Sequence, residues 1–459
     1  MTRRSVWQDR HRSTPRTSEA LDGRAEVVVI GAGITGLVTA LLLARAGRAV
    51  TVLEAGDVGS GSTGRSTAKV SVLQGTRLTA ITGRHGVDVA RQYVRANQEG
   101  QAWLREFCER HAVDHQERVA CTFDWPGETG ARSEHDAALA AGLPVTWHEE
   151  LPVPWATGGG VALGAQFQVD PLALLHMLAA EAEAHGAVIA TGQRVRRIGL
   201  HAPYRVHTDH GVIDADQVVV ATNMPVLDRG GFFARMVPQR SYAVVARVPG
   251  HGVDGMYLSA QSPGRSVRDL GDAALMVGGE GHVTGRSTPT SERLERLGSW
   301  THEVFPGAEL THGWSAQDYA SAHELPYAGP LLPGHDGLLM AGGYAKWGFT
   351  NGTAAGIALA GRMLGGHQEW ASVMAPWRGR ELRGAVSAAK ANASVALELG
   401  RGWIRPKRAL DGKVCPHLGG VVTWNDAESS WDCPLHGSRF EQDGEVLEGP
   451  ATRGLRPRS

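Results

Sequence analysis

Val27-Val28-Val29-Ile30-Gly31-Ala32-Gly33-Ile34-Thr35-Gly36 decides the fold, together with the Leu37–Ala46 stretch and the run Ala49 to Leu53 closed by Glu54. Four consecutive apolar residues are what a parallel strand covered on both faces requires. The G-x-G-x-x-G that follows opens a helix ended by Gly47, and Glu54 stands 18 residues after Gly36 at the end of the next strand. Strand, glycine turn, helix, strand and terminal acid form the dinucleotide-binding fingerprint. Gly31 permits the tight turn, Gly33 lets a pyrophosphate approach the backbone, and Gly36 lets helix and strand pack closely. The N–H groups around Ile34 and Thr35, with the helix dipole, favour phosphate. Glu54 accepts hydrogen bonds from ribose hydroxyls and repels a 2′-phosphate, which disfavours NADP. This stretch alone does not choose between FAD and NAD.

Working outward, Gly342-Gly343-Tyr344-Ala345-Lys346-Trp347-Gly348-Phe349-Thr350-Asn351-Gly352 is a second glycine-rich strand-to-helix turn. It follows Leu338-Leu339-Met340-Ala341 and precedes an apolar helix, Thr353 to Leu364. A helix N-terminus here would stabilise negative charge on a flavin. Helices are also expected over Val87–His111 and over Pro171–His185, the latter opened by proline and ended by Gly186.

Residues 25–365 resemble the FAD-dependent oxidoreductases of the D-amino-acid oxidase and glycine oxidase superfamily. The resemblance rests on Val27–Gly36, Glu54, Gly61-Ser62-Thr63-Gly64-Arg65-Ser66-Thr67-Ala68-Lys69, Ala221-Thr222-Asn223, Leu325-Pro326-Tyr327-Ala328-Gly329 and Gly343–Gly352, in that order. It implies a glutathione-reductase-type α/β Rossmann-like domain binding FAD, and an α+β substrate domain on an antiparallel sheet. It implies that Gly64, Arg65, Ser66, Thr67, Ala68 and Lys69 lie along the flavin. Val195 would meet the adenine end through its backbone, and Ala221, Thr222, Gly343, Lys346, Gly348, Phe349 and Thr350 would complete the cofactor site. FAD-binding parts are expected at about 25–90, 160–236 and 320–365, and the substrate domain at about 90–160 and 237–320, the latter read as short strands and turns.

Cys415-Pro416-His417 and Cys433-Pro434-Leu435-His436 carry a second chemistry: C-x-H, fifteen residues, then C-x-x-H. Two thiolates and two imidazoles suit tetrahedral zinc or a Rieske cluster. Zinc sites more often use C-x₂₋₄-C or H-x₃₋₅-H, and C-x-H is awkward around one tetrahedral ion. In a cluster, Cys415 and Cys433 would hold one iron and His417 and His436 the other. Leu418-Gly419, Gly437-Ser438-Arg439-Phe440 and Glu448-Gly449-Pro450-Ala451 are similar to the flanks of Rieske domains. The resemblance implies a small all-β [2Fe–2S] domain over 400–459, after a helical connector at 366–399. The positions that carry a loop disulfide in high-potential members are here Gly420 and Leu435. With two imidazoles on one iron the potential belongs to the range of about −150 to +300 mV, its lower half being expected without that bridge. The whole arrangement resembles bacterial FAD–Rieske fusion oxidoreductases.

Composition sets the outer limits. The 459 residues allow several domains, and 46 basic against 47 acidic residues give a net charge of −1. That balance argues against nucleic-acid and membrane-surface partners. Four cysteines do not make a secreted disulfide scaffold. Residues 1–24, polar and basic, read as a flexible tail; Arg3-Arg4 lacks the apolar stretch of an export signal. With no run of 18 apolar residues, no membrane span and a cytoplasmic location are expected.

Amino-acid oxidases of this superfamily clamp a substrate carboxylate with an arginine in a W-x-G-x-R-P-like stretch. Here that stretch is Trp314-Ser315-Ala316-Gln317-Asp318-Tyr319, with Gln317 in the arginine's place. Tyr242 and Arg268 are candidate replacements, and Lys346 and Trp347 are candidates at the flavin face. The leading expectation is a dehydrogenase that takes electrons from a small amine or amino-acid-like donor at a C–N bond. They pass from FAD to the cluster and then to an acceptor protein or quinone-like carrier. Two alternatives stay open. In one the current is reversed, a reductase feeding the flavin through the cluster for substrate reduction or monooxygenation. The other is a non-enzymatic redox sensor or electron carrier.

Overall fold

A computed structural model describes residues 1–11, 23–250, 252–404 and 413–457. Val27–Ile30 form the end of strand Gly23–Ile30, the centre of an eight-stranded sheet. The order is Tyr327–Pro330, Leu338–Gly342, Val212–Val220, Gly23–Ile30, Val50–Leu53, Val188–Ala190. The inner neighbours are parallel. Strands Val195–Ile198 and Tyr204–Thr208 fold against Val212–Val220 as an antiparallel flap. Val27, Val28 and Val29 are fully buried, as a strand covered on both faces requires.

Helix Ile34–Arg45 leaves the glycine turn and packs on helix Gly348–Met363. Small residues let them approach: a Cβ at Gly352 would lie 2.8 Å from Thr35 Oγ1, and one at Gly356 would lie 2.9 Å from Val38 Cγ1. Helix Pro171–Ala184 begins as expected, with Asp170 accepting from the backbone of Leu172 and Ala173.

The second sheet has nine strands, and its path runs Glu309–Ser321, Met236–Arg247, Ala274–Val283, Arg265–Asp269, Met256–Ser259, His115–Phe123, Gly160–Val169, Lys69–Val70. It is antiparallel except where Met256–Ser259 runs parallel to His115–Phe123. Gly160–Val169 and Lys69–Val70, expected in the FAD-binding part, belong to this sheet. Strand and turn were expected throughout 237–320, but helix Ser291–Val304 forms there and packs on the sheet through Leu294 and Leu297.

Residues 2–11, expected as part of a flexible tail, are packed. Thr2 exchanges backbone bonds with Thr311 and Gly313, and Trp7, 1% exposed, donates from Nε1 to Ser66 O at 2.8 Å. Val6 and Trp7 provide an apolar anchor within a polar stretch; residues 12–22 lie outside the described residues. The connector is helical only in part. Two short 3₁₀ turns, Glu369–Met374 and Gly379–Gly384, precede helix Ala385–Ile404, which runs past residue 400.

The last described residues form a four-stranded antiparallel meander of Thr423–Asn425, Ser430–Asp432, Arg439–Phe440 and Val446–Glu448. Lys413–Val414 pairs with Arg456–Pro457 beside it. This small domain is seated on the substrate sheet. Gly285 lies so close to it that a Cβ would be 2.6 Å from Pro434 N, and Arg286 Nε donates to Pro434 O at 2.9 Å.

Candidate functional site

The strand ends of the first sheet, the 59–69 loop and the face of the second sheet enclose one cavity of about 590 Å³. Gly31, Gly33, Ile34, Thr35 and Glu54 line it from the first βα unit. The glycine turn is as tight as its spacing predicts. A Cβ on Gly36 would collide with Gly31 O, and one on Gly31 would lie 2.7 Å from Ala221 O. Beside Gly33 only Thr63 Oγ1 stands near, so the backbone there faces open space. Glu54 is held at the rim by Ala32 N at 2.8 Å and Gly56 N at 2.9 Å. Burial raises its pKa against these hydrogen bonds and the nearby Arg194 charge.

Arg65, Ser66, Thr67, Lys69, Val195, Ala221 and Thr222 line the same cavity, as do Lys346, Trp347, Gly348 and Phe349. Five predicted cofactor residues do not. Gly36 and Gly64 are packed against backbone. Ala68, at φ +53, shapes the loop and gives its carbonyl to Arg268. Gly343, at φ +78, turns the chain against Met236, and Thr350 Oγ1 accepts from Gln74 inside the helix packing. These positions support the cavity without facing it.

The candidate substrate residues separate clearly. Tyr242 lines the cavity, its ring stacked on His282 and its hydroxyl 3.1 Å from His282 Nε2. Burial pushes its pKa up to about 12. Arg268 lies outside the cavity wall and is consumed by backbone, donating to Thr67 O and Ala68 O. It positions the loop and is not free for a carboxylate. Gln317 lines the cavity but is also committed: Nε2 donates to Gly437 O at 2.8 Å, and Oε1 accepts from Thr284 at 2.7 Å. The side chain in the arginine's place thus ties the second sheet to the small domain.

Lys69 and Lys346 are the cavity's lysines. Lys69 Nζ donates to Tyr257 O at 3.1 Å and to Ser266 Oγ. Burial, reinforced by Arg268, lowers its pKa to about 7. Burial also lowers Lys346, opposed by Asp318. Asp318 accepts from Asn223 Nδ2 at 2.8 Å and from Lys346 N, fixing the left-handed turn at Ala345 and Lys346.

In the small domain, Cys415 and Cys433 lie side by side. The hydrogen bond between them lowers the Cys415 thiol and raises that of Cys433. The His417 and His436 rings stand 5.1 Å apart, each edge-on to Phe233. His417 Nε2 meets Asp228 Oδ1 at 2.7 Å, and His436 Nδ1 is buried with no hydrogen-bond partner. Thiols paired on one side, imidazoles paired on the other and an orphaned ring nitrogen fit a two-iron cluster. Among the described residues, no three His, Cys, Asp or Glu side chains converge on a single ion. Where high-potential clusters carry a disulfide, Leu435 fills the space against Gly420.

The junction between the domains carries functional residues that no sequence motif marks. Arg240, fully buried, faces Asp432 at 3.6 Å and Glu448 at 3.3 Å; Arg439 meets the same two acids at 3.1 and 2.9 Å. Arg439 and Glu448 also line the cavity. Arg439 and Glu448 lay in the quoted flanks, but nothing in the spacing indicated that Asp432 and Glu448 pair with Arg240, some 200 residues earlier.

A family profile described as FAD dependent oxidoreductase matches residues 26–362, and one described as Rieske [2Fe-2S] domain matches 407–457. The chain is 28% identical to the "Putative Rieske 2Fe-2S iron-sulfur protein YhfW" of Bacillus subtilis (strain 168), over 95% of this chain and 93% of that protein. L-proline dehydrogenase from P. horikoshii shares the fold with a TM-score of 0.64 at 19% identity, covering 76% of this chain and 96% of that one. Glycine oxidase from Geobacillus kaustophilus does so with 0.63 at 19%, covering 75% and 96%. No helix among the described residues is long and apolar enough to cross a membrane. With its profile spanning most of the length and a Rieske domain following it, the chain belongs to the FAD-dependent oxidoreductase family, with FAD and a [2Fe–2S] cluster as its cofactors.

Proposed function

We propose that this protein oxidises a small amine or amino-acid-like donor at its C–N bond, the electrons passing to the Rieske cluster and on to an external acceptor protein or quinone-like carrier. One observation carries the reading: the flavin cavity and the cluster loop share a wall. Gln317 and Tyr319 line the cavity, and the same side chains donate to the carbonyls of Gly437 and His436, at 2.8 and 3.3 Å. The imidazole edge is turned inward onto Phe233 and Asp228, towards the oxidoreductase body. FAD supplies two-electron acceptance from the donor and the cluster supplies one-electron steps.

The chain's own residues divide the remaining work. Gly31, Gly33, Thr35 and Glu54 would hold the dinucleotide, and Cys415, His417, Cys433 and His436 would hold the irons. Lys346 and the N-terminus of helix Gly348–Met363 line the cavity and would offer positive potential to a bound flavin. Tyr242 and Lys69 face the donor, and Trp347 excludes water from it. The donor class draws support from the two fold relatives, an L-proline dehydrogenase and a glycine oxidase. Unpaired cysteines are at home in the cytoplasm, the compartment proposed here.

Anaerobic mixing with a panel of N-alkylglycines, proline and primary amines tests both halves. The expected result is bleaching of the flavin band followed by reduction of the cluster. Failure of every donor, in protein that dithionite fully reduces, would refute the donor class. Bleaching with the cluster left oxidised would refute the relay.

A further inference from the structure

Part of the flavin cavity's wall comes from the Rieske domain: Leu447, Glu448, Gly449, Ala451 and Thr452 line it. This strip is fastened on both sides. Toward the oxidoreductase body, Arg196 Nη1 donates to Thr452 O at 2.7 Å and Arg194 Nη2 to Leu447 O at 3.4 Å. Arg194 lies within electrostatic reach of Glu54, so this edge of the strip stands beside the acid that ends the dinucleotide fingerprint. Toward the cluster, Ala451 N donates to Ser438 Oγ at 3.1 Å, and Ser438 O accepts from Cys433 N at 2.8 Å. The Ser438 side chain also hydrogen-bonds Cys415. Gly449 rests on the same residue, where a Cβ would lie 2.6 Å from Ser438 Cα. The loop that carries Cys433 and the strip that closes the cavity are therefore one packed unit.

We propose that Leu447–Thr452 forms part of the FAD site and that assembly of the cluster locks FAD in place. Without iron, four ligand side chains lose the centre that draws their two loops together. The loops then open more readily and take the strip with them. Linkage makes the effect reciprocal: bound FAD holds the cluster as firmly as the cluster holds FAD. The inference rests on the two-cofactor reading above and adds a dependence between the two sites.

The test uses full-length protein loaded with both cofactors. FAD release is followed by the rise of free-flavin fluorescence after dilution into mild chaotrope. Three samples are compared: loaded protein, the same preparation stripped of iron by a chelator under reducing conditions, and the Arg196→Ala variant with its cluster verified by EPR. Stripping is expected to accelerate release about tenfold or more, within the usual range of coupling between sites. Arg196→Ala is expected to accelerate it several-fold with the cluster intact. Equal release from loaded and stripped protein of unchanged circular dichroism would overturn the proposal. If stripping unfolds the chain, an unchanged rate in Arg196→Ala would overturn it instead. Release kinetics read binding alone, so a protein that shows this dependence but passes no electrons would sink the relay and leave the linkage standing.

Discussion

Lys69 is 9% exposed, and among its described contacts it has hydroxyl and carbonyl partners but no carboxylate. Its folded pKa, about 7, lies below the 10.5 of an ordinary lysine. Between those values the unfolded chain carries a proton that the folded protein has released. Stability therefore rises with pH from about 7 to about 10.5 on this residue's account. Lys69→Met should flatten that rise and raise the melting temperature at neutral pH, read by thermal denaturation across the window. A variant whose slope matches wild type would mean that the amine is solvated or paired. The sequence brought Lys69 into view only through the loop it ends. Its burial comes from Tyr257 and Ser266 on strands far along the chain, and no local pattern encodes that. Arg268 shows the opposite failure: its residue type suggested a carboxylate clamp, but the backbone of Thr67 and Ala68 had already taken its guanidinium.

At the scale of elements, the regular parts were legible because their periodicity is local. Strand Gly23–Ile30 and helices Val87–Arg110 and Pro171–Ala184 stand where the pattern put them, within a residue or a turn. Helix Ser291–Val304 was hidden among strands, and one of its caps comes from elsewhere. Asp426 of the Rieske domain accepts from Thr290 N at 2.7 Å and Ser291 N at 3.2 Å, so one domain caps a helix of the other. These bonds bring Asp426 down to about 2 from 3.8, against burial. Its contribution is present above pH 3.8 and is lost as pH falls toward 2. Asp426→Ala should cost about 1 kcal/mol, the usual value of a lost cap, and remove that acid limb, measured by urea titrations at neutral pH and near pH 3. In the body, Gly356 lets helices Ile34–Arg45 and Gly348–Met363 touch. Gly356→Leu should overpack that contact by about 1–3 kcal/mol and weaken FAD binding, since both helices open onto the cavity. Equal stability and FAD content would show that the contact yields freely.

Across the whole molecule, two domains that the sequence announced separately form one site. Each motif is a local signature and could be read alone. The junction depends on pairing Arg240 with Asp432 and Glu448, which no spacing rule connects. Removing one member of such a buried set strands the others. Asp432→Ala should therefore destabilise the protein by about 3–5 kcal/mol, with loss of the cluster's EPR signal before global unfolding. The packed N-terminal segment belongs to this scale too: Trp7 is fastened to Ser66 and Arg3 to Asp426, so residues 2–11 touch both domains.

Flavin and cluster are proposed to exchange electrons within one chain, across the wall that Gln317 and Tyr319 share. This exchange is tested most directly by anaerobic flash photoreduction of the flavin, with flavin and cluster absorbance followed together at several protein concentrations. Flavin reoxidation and cluster reduction are expected to proceed at one common rate that does not change with concentration. A cluster that stays oxidised while the flavin remains reduced, or a rate that scales with protein concentration, would contradict it.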